Sequence, residues 1–198
     1  RGIRFRRDRD PWAGGGDFAL DLLPPGSIFH EPVGINLVEH GVVIPIKFDP
    51  RMFDFDQAQF PDGVDYETLG DMGWSGFRIR APLNRPDVMD EVAVFQGASY
   101  FRAVARGTLY GLSARGLAIG TGSPEGEEFP MFRDFWITKP GPRERSVLIY
   151  ALLDSRSVSG AFEFRITAGA ETVFDTRVAL FPRSDMKNCG IAPLTSMY

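Results

Sequence analysis

About ten short runs in which apolar and polar residues alternate, separated by glycine and proline, constrain this fold more than any other feature. The clearest run extends from Gly160 to Ile166 and places Phe162, Phe164 and Ile166 on one side. A period of two puts successive side chains on opposite faces of a strand. No helical stripe is longer than two turns, so the sequence predicts an all-β fold, built as a β-sandwich.

The strongest strand predictions fall in the second half of the chain. In the segment 109–119, Ala114, Gly116 and Ala118 share one face, which leaves room above the sheet for a second sheet or a ligand. The continuous apolar run 146–153 is expected to be buried on both faces. The predicted strands are 91–95, 99–105, 109–119, 146–153, 160–166 and 171–181.

Composition excludes several classes of function. The 198 residues carry a net charge of −4, which disfavours nucleic acid as a partner. No apolar run approaches the roughly 18 residues of a membrane-spanning helix. With one cysteine, Cys189, and two histidines, His30 and His40, we expect neither an internal disulfide nor a zinc site, and no cofactor.

Aromatic and arginine side chains alternate in the stretch from 91 to 136. Aromatic faces cover the C–H side of a sugar ring, while charged groups bond its hydroxyls. Phenylalanines of this stretch, such as Phe101, Phe132 and Phe135, are expected in the core. The predicted carbohydrate-binding residues are Tyr100, Arg102, Tyr110, Arg115 and Trp136.

Arg102 and Arg115 lie in otherwise apolar strands, where an unpaired charge is costly. Each therefore requires a ligand or a carboxylate partner, for example Asp134 or Asp154.

Four carboxyl groups are candidates for glycoside cleavage, which requires two of them to face one bond, roughly 6.5–9.5 Å apart in an inverting enzyme. They are Glu127, Glu128, Asp134 and Asp154. If the segment is extended, Glu127 and Glu128 point to opposite faces and do not serve one site. Ser99, Ser113 and Ser155 have no plausible histidine partner nearby in the sequence, which disfavours a hydrolase triad. We assign no catalytic residue from the sequence.

Long segments resemble the periplasmic glucan biosynthesis proteins G and D: FQGASYFRA at 95–103, YGLSARGLAI at 110–119, GEEFPMFRDFWI at 126–137, IYALLDSRSVSGAFEFRI at 149–166 and GIAPLTSMY at 190–198. The resemblance implies a periplasmic protein needed to make osmoregulated periplasmic glucans. It also implies a large β-sandwich domain similar to galactose mutarotase, followed by an immunoglobulin-like domain. This chain is then the N-terminal half of the sandwich, without its C-terminal half and without the second domain.

The function implied by the resemblance is binding and processing of the β-1,2-linked glucan backbone. Some family members resemble inverting endo-β-1,2-glucanases, but the acidic residues credited with cleavage align beyond position 198, so the chain is expected to be inactive alone. A second reading is a non-enzymatic scaffold that binds glucan and assists membrane proteins of glucan synthesis. A third is a sugar epimerase using His30 and Glu31.

An incomplete sandwich is expected to expose a large apolar patch that involves the closing run 191–198 and part of the central stretch. The isolated chain is therefore expected to dimerise or aggregate.

Overall fold

The structure is a computed structural model in which residues 2–14, 16–26 and 28–195 are described. Within them, the one α-helix is α1 (Tyr66–Leu69), and 3-10 turns cover Arg7–Arg9 and Pro50–Met52. The strands are β1 (Ile3–Phe5), β2 (Ala19–Leu23), β3 (Gly34–Glu39), β4 (Val42–Pro45), β5 (Phe53–Phe55), β6 (Gly76–Ala81), β7 (Asp90–Gln96), β8 (Tyr100–Ala103), β9 (Leu112–Arg115), β10 (Leu117–Ile119), β11 (Met131–Thr138), β12 (Ser146–Asp154), β13 (Val158–Thr167), β14 (Val173–Pro182), β15 (Cys189–Ile191) and β16 (Leu194–Thr195). The predicted all-β class is confirmed.

Two six-stranded sheets form the body of the molecule. Sheet I has the order β16-β9-β8-β7-β6-β2, and sheet II has the order β14-β13-β12-β11-β3-β4. Neighbouring strands are antiparallel except β3 and β11, which run parallel. Two small sheets, β1-β5 and β10-β15, complete the architecture.

The core lies between the inner faces of the two sheets and is rich in phenylalanine. Phe95 of sheet I is fully buried, and its ring centroid lies 5.7 Å from that of Phe135 and 5.1 Å from that of Phe164, both in sheet II. Phe132 is also buried and Phe101 packs against the core, as predicted. These edge-to-face contacts fix how the sheets stack.

The predicted strand 109–119 is shorter than expected and is divided. Residues 109–111 precede β9, and Gly116 separates β9 from β10. The room above its small residues is filled by sheet II, because a methyl group at position 116 would lie 2.9 Å from Cζ of Phe132. Of the two occupants predicted for this space, the structure therefore shows the second sheet.

The prediction that 146–153 is buried on both faces is wrong. Val147, Ile149 and Leu153 point into the core, but Tyr150 and Leu152 on the opposite face are 41% and 39% exposed. The described residues cover the inner face of sheet II and leave its outer face uncovered. The outer face is therefore available for contacts. No helix in the described part of the chain is long and apolar enough to cross a membrane.

Candidate functional site

Three of the five predicted binding residues share the outer face of sheet I. Tyr100 and Arg102 lie two residues apart on β8, and Arg115 lies on β9 directly opposite Tyr100. Their neighbours Phe101 and Ala114 point inward. The alternation of the two strands therefore brings these three side chains to one surface.

Arg115 is held between two aromatic rings and a carboxylate. Its guanidinium carbon lies 5.1 Å from the ring centroid of Tyr100 and 5.0 Å from that of Phe129, and its Nη1 pairs with Glu127. Thr121 Oγ1 donates a hydrogen bond of 3.1 Å to the same carboxylate. An arginine has five N–H donors in a planar fork. Among the described residues Glu127 is the one ion-pair partner, so donors remain for a ligand.

A cleft of about 850 Å³ lies between the loop before β11 and the loop before β15, and Glu127, the ion-pair partner of Arg115, is one of its lining residues. We call it the Arg115 cleft. Its volume falls within the range of pockets that hold small ligands. Its charged lining residues are Glu125, Glu127, Glu128, Arg156, Asp185 and Lys187. Glu127 and Glu128 thus border one cavity, in contrast to the arrangement expected of a fully extended segment.

Glu128 is anchored by hydrogen bonds and is suited to remain ionised. Ser155 Oγ donates to it, as do Ser157 N at 2.8 Å and Ser157 Oγ at 2.7 Å. Burial raises the pKa of Glu128, but these hydrogen bonds and the charge of Arg156 outweigh burial and lower it. A general acid requires a raised pKa, so this environment does not suit proton donation.

Arg102 belongs to a chain of ion pairs across sheet I. It pairs with Glu91, whose other oxygen lies 2.8 Å from Nε of Arg78. Arg78 continues to Asp21 at 3.7 Å, and Arg80 pairs with the same aspartate at 2.5 Å. Sequence reasoning suggested Asp134 or Asp154 as partners of the arginines. The partners are Glu91, on the neighbouring strand β7, and Glu127, in the loop before β11.

The two remaining predicted residues lie elsewhere. Tyr110 is 80% exposed in the loop that leads into β9. Trp136 lies on the outer face of sheet II, because its neighbours Phe135 and Ile137 are buried in the core. The five residues therefore do not form a single site.

The other acidic candidates have different surroundings. Asp154 pairs with Arg183 at 2.7 Å, and Glu31 pairs with Arg133 at 3.1 Å on the surface. The carboxylate of Asp134 forms no ion pair or hydrogen bond within residues 2–14, 16–26 and 28–195. In the same ranges no three His, Cys, Asp or Glu side chains are grouped to hold a metal.

Sequence reasoning missed three residues that matter for these surfaces. Phe129 stacks on Arg115, Glu91 pairs with two arginines, and Tyr150 lies exposed beside Trp136 in the strand register. The polar hydroxyl of Tyr150 within the run SVLIYALL was a usable signal, since a buried tyrosine requires a partner. For Glu91 and Phe129 no local signal exists, because their roles arise from strand pairing and loop placement.

Fold and cleft together define the class of this molecule: an all-β sandwich protein with a polar cleft lined largely by charged side chains. The chain belongs to the family described as periplasmic glucan biosynthesis protein, MdoG, which it matches over residues 1–198. The predicted family is confirmed, and its description supports the predicted periplasmic location.

Curated relatives agree with this assignment. The chain is 45% identical over 199 residues to glucans biosynthesis protein G of Rhodopseudomonas palustris strain BisA53, covering 100% of this chain and 39% of the relative. It is 46% identical over 197 residues to glucans biosynthesis protein G of Pseudomonas aeruginosa strain LESB58, covering 99% of this chain and 37% of the relative. The chain thus spans about two fifths of the length of these relatives.

Proposed function

We propose that this chain binds the β-1,2-linked backbone of osmoregulated periplasmic glucans during their biosynthesis, and that the Arg115 cleft is a contact site. The observation that carries the proposal is Arg115, fixed between Tyr100 and Phe129 with free N–H donors, beside a cavity lined with carboxylates. Membership of a glucan biosynthesis family supports glucan as the ligand.

The chemistry of the cleft fits a chain of sugars. Carboxylates and guanidinium groups form charge-assisted hydrogen bonds with hydroxyl groups, and aromatic rings cover the apolar face of a hexose. Phe129 is half exposed at the edge of the site and offers such a ring.

The carboxylates of this region favour binding over cleavage. Glu127 is paired with Arg115, Asp154 with Arg183, and Glu128 accepts hydrogen bonds that keep it ionised. This supports a scaffold role, in which the protein presents glucan to membrane proteins of its synthesis. A glucanase centre, if the protein has one, is then expected in other parts of the sequence. Release of new reducing ends from linear β-1,2-glucan by the full-length gene product would favour the glucanase.

The binding proposal is tested with Arg115→Met in the full-length gene product. Isothermal titration with linear β-1,2-glucan is expected to show an affinity at least tenfold lower than that of the unchanged protein, because the donor fork is lost while the bulk of the side chain is kept. Arg85→Met is the control, since Arg85 is exposed and pairs with Asp87 in a loop. Unchanged affinity in a folded Arg115→Met protein would refute the assignment.

We also propose that the chain is the N-terminal part of a longer sandwich domain. The chain spans only about two fifths of the length of its relatives, which supports this proposal. Apolar side chains are exposed at the strands that border both sheets: Phe181 on β14 is 60% exposed and Leu194 on β16 is 68% exposed. Residues 196–198 of the closing run lie outside the described residues. Sedimentation velocity on the isolated chain is expected to show dimers or larger species, and a monomer at all concentrations would argue against the proposal.

A further inference from the structure

The outer face of sheet II carries a row of side chains that the Arg115 cleft does not use. Trp136 on β11 lies directly opposite Tyr150 on β12, and Tyr150 lies opposite Glu163 on β13. The row continues to Asn36 on β3 at one end and to Arg177 on β14 at the other. We call this set the Trp136 row. It crosses five strands, a length of about 19 Å at 4.8 Å per strand.

Two aromatic side chains form the centre of the Trp136 row. Tyr150 is 41% exposed and Trp136 is partly exposed. Neither the indole N–H nor the phenol hydroxyl forms a hydrogen bond with any described residue. Tyrosine and tryptophan that serve only packing usually find a partner for their polar atoms. Here both rings and both polar atoms remain available to a ligand.

Asp134 places an unpaired carboxylate beside these rings. It lies two residues before Trp136, and it is paired in register with Leu152 on one side and Gly34 on the other. A side chain at position 34 would overlap the Asp134 carboxylate, so glycine makes room for it on the sheet surface. A carboxylate that accepts no hydrogen bond from the described residues has its full accepting capacity free for hydroxyl donors.

Both ends of the Trp136 row offer further polar groups. Asn36 donates its amide N–H to the carbonyl of Phe135 at 3.1 Å, which fixes the side chain and leaves its oxygen as an acceptor. At the other end, Glu163 and Arg177 are 3.9 Å apart in a loose ion pair. The face therefore combines flat aromatic surface with donors and acceptors along one line.

We propose that the Trp136 row is a second glucan-binding surface, where Trp136 and Tyr150 stack on successive hexose rings and Asp134 accepts hydrogen bonds from their hydroxyls. This proposal rests on the proposed function, since it takes the same class of ligand. The Trp136 row lies on the outer face of sheet II, whereas Arg115 lies on the outer face of sheet I, so the two surfaces bind separate parts of a chain or separate chains. A polymer of repeated sugars suits such an arrangement, because each surface needs only a short segment.

The test follows oxidation of Trp136 by N-bromosuccinimide in the full-length gene product, resolved by peptide mass spectrometry. Trp12 and Trp74 are buried and serve as unreactive references in the same chain. Linear β-1,2-glucan at saturation is expected to slow oxidation of Trp136 at least fivefold. In Tyr150→Ala, the glucan concentration that gives half protection is expected to rise at least fivefold.

Leu152→Ala is the matched control, because Leu152 lies on the same strand and face with nearly the same exposure. It is expected to shift half protection less than twofold. If glucan binds by calorimetry but Trp136 is oxidised at the same rate with and without it, this inference is wrong and the Arg115 cleft proposal stands. If the unchanged protein shows no glucan binding, the proposed function itself is wrong. Should Tyr150→Ala fail to fold, protection in the unchanged protein decides.

Discussion

The ion-pair chain on the outer face of sheet I and the centre of the Trp136 row on sheet II use their polar side chains in opposite ways. On sheet I, Asp21, Arg78, Glu91 and Arg102 are linked in one chain of ion pairs, so each of these charges has an opposite charge beside it. On sheet II, the polar groups of Trp136, Tyr150 and Asp134 have no partners among the described residues. Satisfied groups stabilise the fold, whereas unsatisfied groups at a surface are available for recognition.

Strand register explains the difference. Asp21 lies opposite Arg78, and Arg80 lies opposite Glu91, so sheet I brings unlike charges together across neighbouring strands. Cross-strand pairs of this kind stabilise a sheet by roughly 0.2–1 kcal/mol each. Sheet II places Trp136 opposite Tyr150, and neither residue bears a charge at neutral pH. The comparison predicts that substitutions in the ion-pair chain of sheet I change stability and that substitutions in the Trp136 row of sheet II change binding.

Glu91→Gln is expected to give the largest loss of stability. Glu91 is mostly buried and pairs with both Arg78 and Arg102, so its neutralisation leaves Arg102 without a carboxylate and leaves Arg78 with only its longer contact to Asp21 at 3.7 Å. Breaking a buried pair costs about 3–5 kcal/mol, and partial exposure reduces the expected loss here to about 2–3 kcal/mol. Urea unfolding followed by circular dichroism measures it.

The control for Glu91→Gln is Asp87→Asn, which removes a similar carboxylate from an exposed pair with Arg85. Exposed pairs contribute little to stability, so no measurable change is expected there. If the two substitutions destabilised the protein equally, the ion-pair chain would have no special structural role and the contrast between the faces would fail.

Acid is expected to have a smaller effect, through Glu128. The pKa of Glu128 is lower in the folded protein than its ordinary value of 4.5. The ionised carboxylate therefore contributes its full stabilisation above pH 4.5. This contribution is lost as pH falls from 4.5 towards the pKa in the folded protein. Its hydrogen bonds suggest a contribution of about 1–2 kcal/mol.

Unfolding free energies at pH 6 and pH 3.5, compared between the unchanged protein and Glu128→Gln, isolate this contribution. The free energy of unfolding of the unchanged protein should exceed that of the variant at pH 6, and this difference should shrink as pH falls. Asp10 acts in the opposite direction, because burial raises its pKa, but it is present in both proteins and cancels. A difference in the free energy of unfolding that is the same at both pH values would contradict the stabilising role of the Glu128 carboxylate.

The sequence predicts the strands better than the sites, for a physical reason. Alternation is local, so the run Gly160–Ile166 was correctly placed within β13, and the core phenylalanines followed from the same pattern. The ion-pair partner of Arg102 depends on register between strands and that of Arg115 on the placement of the loop before β11, so the local pattern does not predict them. The run 146–153 misled because every residue in SVLIYALL except its serine is apolar or aromatic, which hides the fact that one face is exposed.

The site prediction divided in the same way. Tyr100, Arg102 and Arg115 were expected together and do share one face, because they alternate with inward residues on adjacent strands. Trp136 was grouped with them from proximity in the sequence, but the loop before β11 carries the chain to the other sheet. Proximity in the sequence therefore indicates which types of residue are candidates to contact a ligand. It does not indicate which of the two surfaces each residue joins.

The smallest expected change in stability comes from Tyr150→Thr, which removes an aromatic ring from the middle of sheet II. Threonine retains a hydroxyl and a high preference for strands, and positions on exposed sheet faces span only about 1 kcal/mol. No ring contact involves Tyr150 within the described part of the chain. The free energy of unfolding is therefore expected to fall by at most about 1 kcal/mol, well below the effect of Glu91→Gln. Protection of Trp136 by glucan should nevertheless weaken. A loss of 2 kcal/mol or more would place Tyr150 among the residues that hold the sandwich together, and the distinction between a structural face and a recognition face would no longer describe this molecule.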